Sequence, residues 1–181
     1  MALIIRHMAT ETITKARTPR TEAKVKGQLY FEHLLQTIRE GERRTTHSYV
    51  LLLGLDVGET AQLLQQVEQG LPYRSLVHFH QVLDIPINEM AHLAQIKTRT
   101  LSRRKERGRL EPDESDRLLR VARVFGKALE LFEGDGEAAR RWFTKPHKML
   151  GGVTPAEMSK TDIGAVEVER LIGRLEHGVF S

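Results

Sequence analysis

Seven cations crowd one short stretch. Lys97, Arg99, Arg103, Arg104, Lys105, Arg107 and Arg109 stand among a single acid, Glu106. Guanidinium and ammonium groups at this density suit a polyanion. They meet phosphate oxygens whatever the base sequence, and an Arg fork also pairs with the acceptor edge of guanine. That chemistry is binding, not bond-making. Just ahead runs Glu89-Met90-Ala91-His92-Leu93-Ala94-Gln95-Ile96, which leads through Lys97-Thr98-Arg99-Thr100 into Leu101-Ser102-Arg103-Arg104. Two short helices crossing at the small Ala91, with Met90, Ala94, Ile96 and Leu101 inside, make a helix-turn-helix over 86–108. Thr98 is placed to cap the second helix and Gly108 to end it. On that geometry Lys97, Thr98, Arg99, Ser102 and Arg103 face outward, and Arg104 and Arg107 extend the basic surface. All seven are expected to contact DNA, the first at base edges and the flanks at phosphates.

Other reactive constellations are missing. Glu89 and His92 have the i, i+3 spacing of di-iron bundles, but no second Glu-x-x-His accompanies them. His78 and His80 fall on opposite sides of one helix. No glycine-rich phosphate loop, Ser-His-Asp set or paired-carboxylate motif is present. The chain has no cysteine, hence no disulfide, thiolate metal site or thiol nucleophile. The expectation is a non-enzymatic protein with no metal and no cofactor. The other stretch with chemistry to offer is 149–181. It closes on Val179 and Phe180, apolar anchors flanked by the carboxylates of Glu176 and Ser181. Something must cover them: the chain's own core, a second copy in a homodimer seam, or a different protein.

The elements that position these groups read as helices. In 181 residues, 40% are hydrophobic and 29% charged, enough for a modest core in one domain or two small ones. Positions 1–109 carry 17 Lys+Arg against 11 Asp+Glu, a net of +6, and positions 110–181 carry 11 against 13, a net of −2. A basic front and a slightly acidic back suggest two surfaces with different partners. Residues 1–26 form no sustained stripe and read as a weakly ordered basic arm, followed by a short amphipathic helix over 28–39. Tyr49 to Leu55 is continuously apolar, a buried helix or an extended connector. The segment 59–69 forms a helix burying Leu63, Leu64 and Val67. The next, over 73–83, has Leu76, Phe79, His80 and Leu83 on one face, and Pro86 suits the first turn of the helix after it. The longest periodic segment spans 112–132. Leu118, Val121, Ala122, Phe125, Ala128, Leu129 and Phe132 share one face of it, and Arg117, Arg120, Arg123 and Lys127 decorate the other. A short helix over 137–143 carries Trp142. Thr154-Pro155-Ala156-Glu157 is a capping box, and Thr161-Asp162 opens the last helix. There Val168, Leu171, Ile172, Leu175 and Val179 make one stripe, and Gly164 and Gly173 invite close approach of another backbone. No segment is long and apolar enough for a membrane span, and no secretory signal is evident, so a cytoplasmic protein is expected.

The spacing over 86–108 resembles the Xre/Cro-type helix-turn-helix, in which the turn usually carries Gly; here that position is Gln95. Leu150-Gly151-Gly152-Val153-Thr154-Pro155, then 165–175, then Glu176-His177-Gly178-Val179-Phe180-Ser181 resembles the C-terminal signature of the Xre/MbcA/ParS antitoxin family. Arg117-Leu118-Leu119-Arg120-Val121-Ala122-Arg123 and Leu101-Ser102-Arg103-Arg104 are similar to the same family. The likeness runs from about residue 48 to the end.

It implies an all-α protein with three parts: an N-terminal arm over 1–45, a helix-turn-helix domain over 46–110, and a small helical toxin-binding domain over 111–181. It implies an antitoxin of a type II toxin–antitoxin pair. Such an antitoxin binds a RES-domain toxin that degrades NAD, covers its active site, and represses the shared operon at operator DNA. Family members form homodimers or larger assemblies. The toxin-contact residues expected are Arg170, Arg174, Glu176, His177, Gly178, Val179, Phe180 and Ser181. The competing reading is a free-standing transcriptional regulator whose C-terminal part only dimerises.

Overall fold

The computed structural model describes Glu32, Leu35, Gln36, residues 48–56 and residues 59–178. The basic arm over 1–26 and the anchors Val179 and Phe180 lie outside the described residues, as does Ser181. Of the helix expected over 28–39, the three described positions are helical, and Leu35 is buried.

The protein is all-α. Among the described residues, β-pairing is limited to two isolated bridges, Pro72 with Arg109 and His147 with Val153. The apolar run near residue 50 forms a 3-10 helix, Ser48–Leu53, with Val50, Leu52 and Leu53 buried. Then follow α1 (Thr60–Glu68), α2 (Tyr73–Leu83) and α3 (Ile87–Leu93), with Pro86 at the cap of α3. A 3-10 turn, Thr98–Thr100, leads into α4 (Leu101–Arg107). The long α5 spans Pro112–Leu131, and α6 spans Gly136–Thr144, its first turn capped by Asp135 accepting from Ala138 N at 3.0 Å. A second 3-10 turn, Lys148–Leu150, precedes α7 (Pro155–Met158) and α8 (Asp162–Glu176). Thr154 and Thr161 cap α7 and α8 through hydroxyls that accept from Glu157 N and Gly164 N.

One continuous core joins these elements, and α5 runs through it. Leu118, Val121, Ala122, Phe125, Ala128 and Leu129 of α5 are all buried, as its periodicity requires. Phe125 sits between Phe79 of α2 and Phe143 of α6, at ring-centroid distances of 6.2 and 5.2 Å.

Several local expectations need correction. Leu64 is not buried: it is 58% exposed, because α1 turns only Leu63 fully inward. Thr98 does not cap α4; instead Thr100 Oγ1 donates to the Lys97 carbonyl at 2.7 Å, tying off the 3-10 turn. Glu157 does not return to its own cap but reaches Lys160 and His92. The cations of α5 are not mere solvent decoration. Arg117 and Arg120 donate to the carbonyls of Ala94 and Lys160, and Arg123 and Lys127 both lie 3.0 Å from Glu169 of α8.

Arg104 is the largest departure. It is 5% exposed and points into the core beside Glu114, which is 6% exposed. Its Nε and NH2 donate to the two carboxylate oxygens of Glu114 at 2.7 and 2.9 Å, and NH1 lies 2.8 Å from Glu111. Donating to the Glu114 carboxylate raises the Arg104 pKa further still, against the opposing effect of burial. Glu114 also accepts from the Glu111 amide at 2.9 Å, so one carboxylate both caps α5 and anchors α4.

Two stability predictions follow from this geometry. Arg104→Met or Glu114→Gln alone should cost about 3–5 kcal/mol by leaving a buried charge uncompensated, whereas the R104M/E114L double variant should recover much of that loss. Urea unfolding of the three variants measures it. Gly164→Ala should lose about 1–3 kcal/mol, because a Cβ there would lie 2.0 Å from the Met158 carbonyl oxygen. Gly173→Ala, whose Cβ would meet nothing within 4 Å, should gain about 0.5–1 kcal/mol. A stabilised G164A protein would refute the tight approach of α7 to α8.

Candidate nucleic-acid interface and partner-binding face

The helix-turn-helix is built by α3, the turn after it and α4. Met90, Ala91, Leu93 and Ala94 are buried, and Ala91 and Ala94 leave room for the neighbouring helices. The turn closes α3 with two hydrogen bonds, Ile96 N to Ala91 O at 2.7 Å and Gln95 N to His92 O at 2.9 Å. This pairing requires a left-handed residue, and Gln95 takes it at φ 55°. A non-glycine residue there carries a cost of about 1–2 kcal/mol.

Leu101 and Arg104 are the inward positions of α4. Everything else on it faces out. Lys97, Thr98, Arg99, Ser102, Arg103, Lys105 and Arg107 are exposed on the same short segment. Among the described residues, the side chains of Lys97, Arg99, Arg103 and Lys105 enter no hydrogen bond or ion pair. Arg107 lies 3.1 Å from Glu111 at the surface, a pair too solvated to hold it firmly. Arg109 is spent on the Gln69 carbonyl at 3.0 Å. Arg104 therefore leaves the set of DNA-contacting candidates: its guanidinium is committed to Glu114 inside the fold. Lys105 joins the set. It is exposed on the same segment, while the inner face of α4 runs through Leu101 and Arg104. An α-helix with its side chains is about 10–12 Å across, which suits a major groove about 12 Å wide.

The second face lies on α8. Gly164, Ala165, Val168, Leu171 and Ile172 are buried against the core. Ile163, at 80% exposure, Arg170 and His177 lie on the outer side, with Arg174 half-buried. Arg170 donates to Glu167 at 2.6 Å, one turn back. Glu176, His177 and Gly178 are exposed, and Gly178 leaves the helix at φ 64°. These residues share the outward end of α8; the remainder of the expected contact set, 179–181, is outside the described residues.

A seam of polar contacts joins the two faces. Gln95 Nε2 donates to the Lys160 carbonyl at 2.7 Å, and Arg120 NH1 reaches the same oxygen at 3.3 Å. Arg117 Nε donates to Ala94 O at 3.0 Å. His92 Nε2 lies 3.2 Å from Glu157, and Lys160 Nζ donates to Glu157 at 2.6 Å. Partial burial works against the charge on Glu157, but Lys160 and His92 together outweigh it and hold the carboxyl below its ordinary range. His92 thus serves the seam, and among the described residues no group of three or more His, Cys, Asp or Glu could hold a metal ion. Sequence reasoning missed Gln95 and Lys160 as seam residues, since a backbone carbonyl 65 positions away leaves no trace in local spacing.

Comparison with known proteins agrees with this division. Residues 62–123 match the antitoxin Xre-like helix-turn-helix domain, and residues 127–178 match the antitoxin Xre/MbcA/ParS C-terminal toxin-binding domain. The chain is 38% identical to an antitoxin Xre of Yersinia enterocolitica over 71% of its own length and 88% of that protein. It is 37% identical to an antitoxin Xre of Photorhabdus laumondii, over 64% of this chain and 78% of the relative. A more distant relative, at 24% identity over 64% of this chain and 78% of its own, is a Prs ADP-ribosylating antitoxin of Sphingobium. With the helix-turn-helix in front and the toxin-binding domain behind it on a shared core, this chain belongs to the Xre/MbcA/ParS family of type II antitoxins.

Proposed function

We propose that this antitoxin binds a RES-domain toxin that degrades NAD, neutralises it by covering its active site, and represses the shared operon through α4. It works in the cytoplasm, as a homodimer or a larger assembly with the toxin, without catalysis or a cofactor of its own. The arm over 1–45, the helix-turn-helix over 46–110 and the toxin-binding part over 111–181 are its working divisions. The observation that carries the reading is the match of residues 127–178 to a toxin-binding domain, on a chain whose α4 presents unpaired cations.

The chemistry of the tip supports the mechanism. A cleft that accepts NAD must offer cations to a pyrophosphate. At the end of α8 the chain supplies the Glu176 carboxylate for those cations, with Val179 and Phe180 after it as apolar anchors. Charge-assisted contacts of this kind are strong once water is excluded, and buried aromatic anchors dominate interface energetics. At the other face, Arg99 and Arg103 have the reach for guanine edges, with Lys97, Thr98, Ser102, Lys105 and Arg107 set for the backbone.

Co-expression with the adjacent toxin gene is the direct test: the two proteins should co-purify and growth should recover. A protein that binds operator DNA but never co-purifies would be the free-standing regulator instead. Deleting residues 178–181 should leave thermal unfolding unchanged and weaken toxin binding at least about tenfold, or about 1.4 kcal/mol; full neutralisation by the shortened chain would sink the plug. Arg99→Ala and Arg103→Ala should each cost about 1–3 kcal/mol of operator affinity. Lys105→Ala should instead lower the salt dependence of binding by about one phosphate contact. Anisotropy titrations across a salt series check all three.

A further inference from the structure

Gln95 stands where the backbone favours glycine. Its φ of 55° is left-handed, and a glycine would adopt it with less strain. What a glycine would lack is the side chain, and here that side chain leaves its own motif. Gln95 Nε2 donates to the carbonyl of Lys160, at the junction between α7 and α8, over 2.7 Å. The next residue back is held from outside as well, through Arg117 of α5 to Ala94 O at 3.0 Å. Beyond the turn, Lys97, Thr98 and Arg99 are exposed, and the first inward anchor is Leu101. The start of the recognition segment therefore takes its direction from the turn, and the turn is gripped by residues outside the helix-turn-helix.

We propose that Gln95 is a positioning residue for DNA recognition: its bond to the Lys160 carbonyl makes the α7–α8 junction of the toxin-binding half hold the turn that aims residues 97–103 at DNA. The inference rests on the reading of α4 as a DNA-binding helix. It accounts for a strained glutamine in a glycine position, because the tether returns what the backbone gives up. It also makes the operator-reading surface and the toxin-binding half one mechanical unit, since Lys160 precedes α8 by a single residue before the Thr161 cap.

The test uses the full chain with Gln95→Met, which keeps length and neutrality but cannot donate, and Gln95→Gly, which relaxes the backbone but has no tether. Operator affinity is read by anisotropy, toxin binding by calorimetry, and amide hydrogen exchange over 94–103 by mass spectrometry. Both variants should lose about fivefold or more in operator affinity, with faster exchange over 94–103, unchanged exchange in α8 and unchanged toxin affinity. Affinity within twofold of the parent in both variants overturns the proposal. So does recovery in Gln95→Gly alone, which would place the effect in the backbone, or lost affinity with unchanged exchange, which would make Gln95 a direct DNA contact. If the parent protein itself binds no operator DNA, the DNA-binding reading fails, and exchange alone decides the tether: unchanged protection in Gln95→Met refutes it, and raised exchange upholds it.

Discussion

The buried side of α5 has to be covered from both ends of the chain. A helix of 20 residues is about 30 Å long, and Leu118, Val121, Phe125 and Leu129 along it need partners over most of that length. The 3-10 helix Ser48–Leu53, α1, α2 and α3 come at it from the helix-turn-helix side, and α6 and α8 from the other. Each fully buried Leu or Phe contributes about 1.5–3 kcal/mol, so neither side's partners are dispensable. Phe125, between Phe79 and Phe143, is where the two sets meet. The matched ranges 62–123 and 127–178 likewise meet inside this helix. A DNA-binding half and a toxin-binding half that share a helix cannot reorient freely with respect to each other.

Hydrophobic cover alone would let α4 slide or rotate on α5, because α4 offers only Leu101 as an apolar anchor. The Arg104–Glu114 pair removes that freedom. A guanidinium fork on a carboxylate has a fixed plane and two fixed bonds, so it sets the rotation of α4 about its own axis. Replacing it with apolar residues of similar volume would keep the contact and lose the angle. That angle decides which of the neighbouring cations face outward.

The helices were legible because their signals are local. Tyr73–Leu83 has both its apolar face and its Pro and Asp boundaries in sequence, and the 112–132 periodicity is sustained over many turns. Thr154 and Thr161 announce caps, and both are caps. Legibility failed where a residue's role depends on something far along the chain. Arg104 stands where the second helix of such a motif often has a core residue, but its charge reads as part of the basic run until α5 brings Glu114 beside it. Leu64 has a hydrophobic side chain at a plausible helical offset, but α1 has only one fully buried position. Gln95 could be flagged as awkward in a turn, while its compensating partner, the Lys160 carbonyl, carries no side-chain identity to read. The outer end of α8 was marked by its motif, not by its periodicity.

The same logic divides the charges. Counted in sequence, the cations of 97–127 form one basic tract. In the fold they separate by whether an acid or a carbonyl lies within reach. Arg117, Arg120, Arg123 and Lys127 are drawn to Ala94, Lys160 and Glu169, Arg104 to Glu114 on α5, and Arg109 to the Gln69 carbonyl at the end of α1. Within the tract, and among the described residues, the side chains of Lys97, Arg99, Arg103 and Lys105 remain without a partner, on one short segment. Within this tract the cations left for a polyanion lie on α4 and the turn before it, and their location is set as much by the acids and carbonyls around the tract as by the cations themselves.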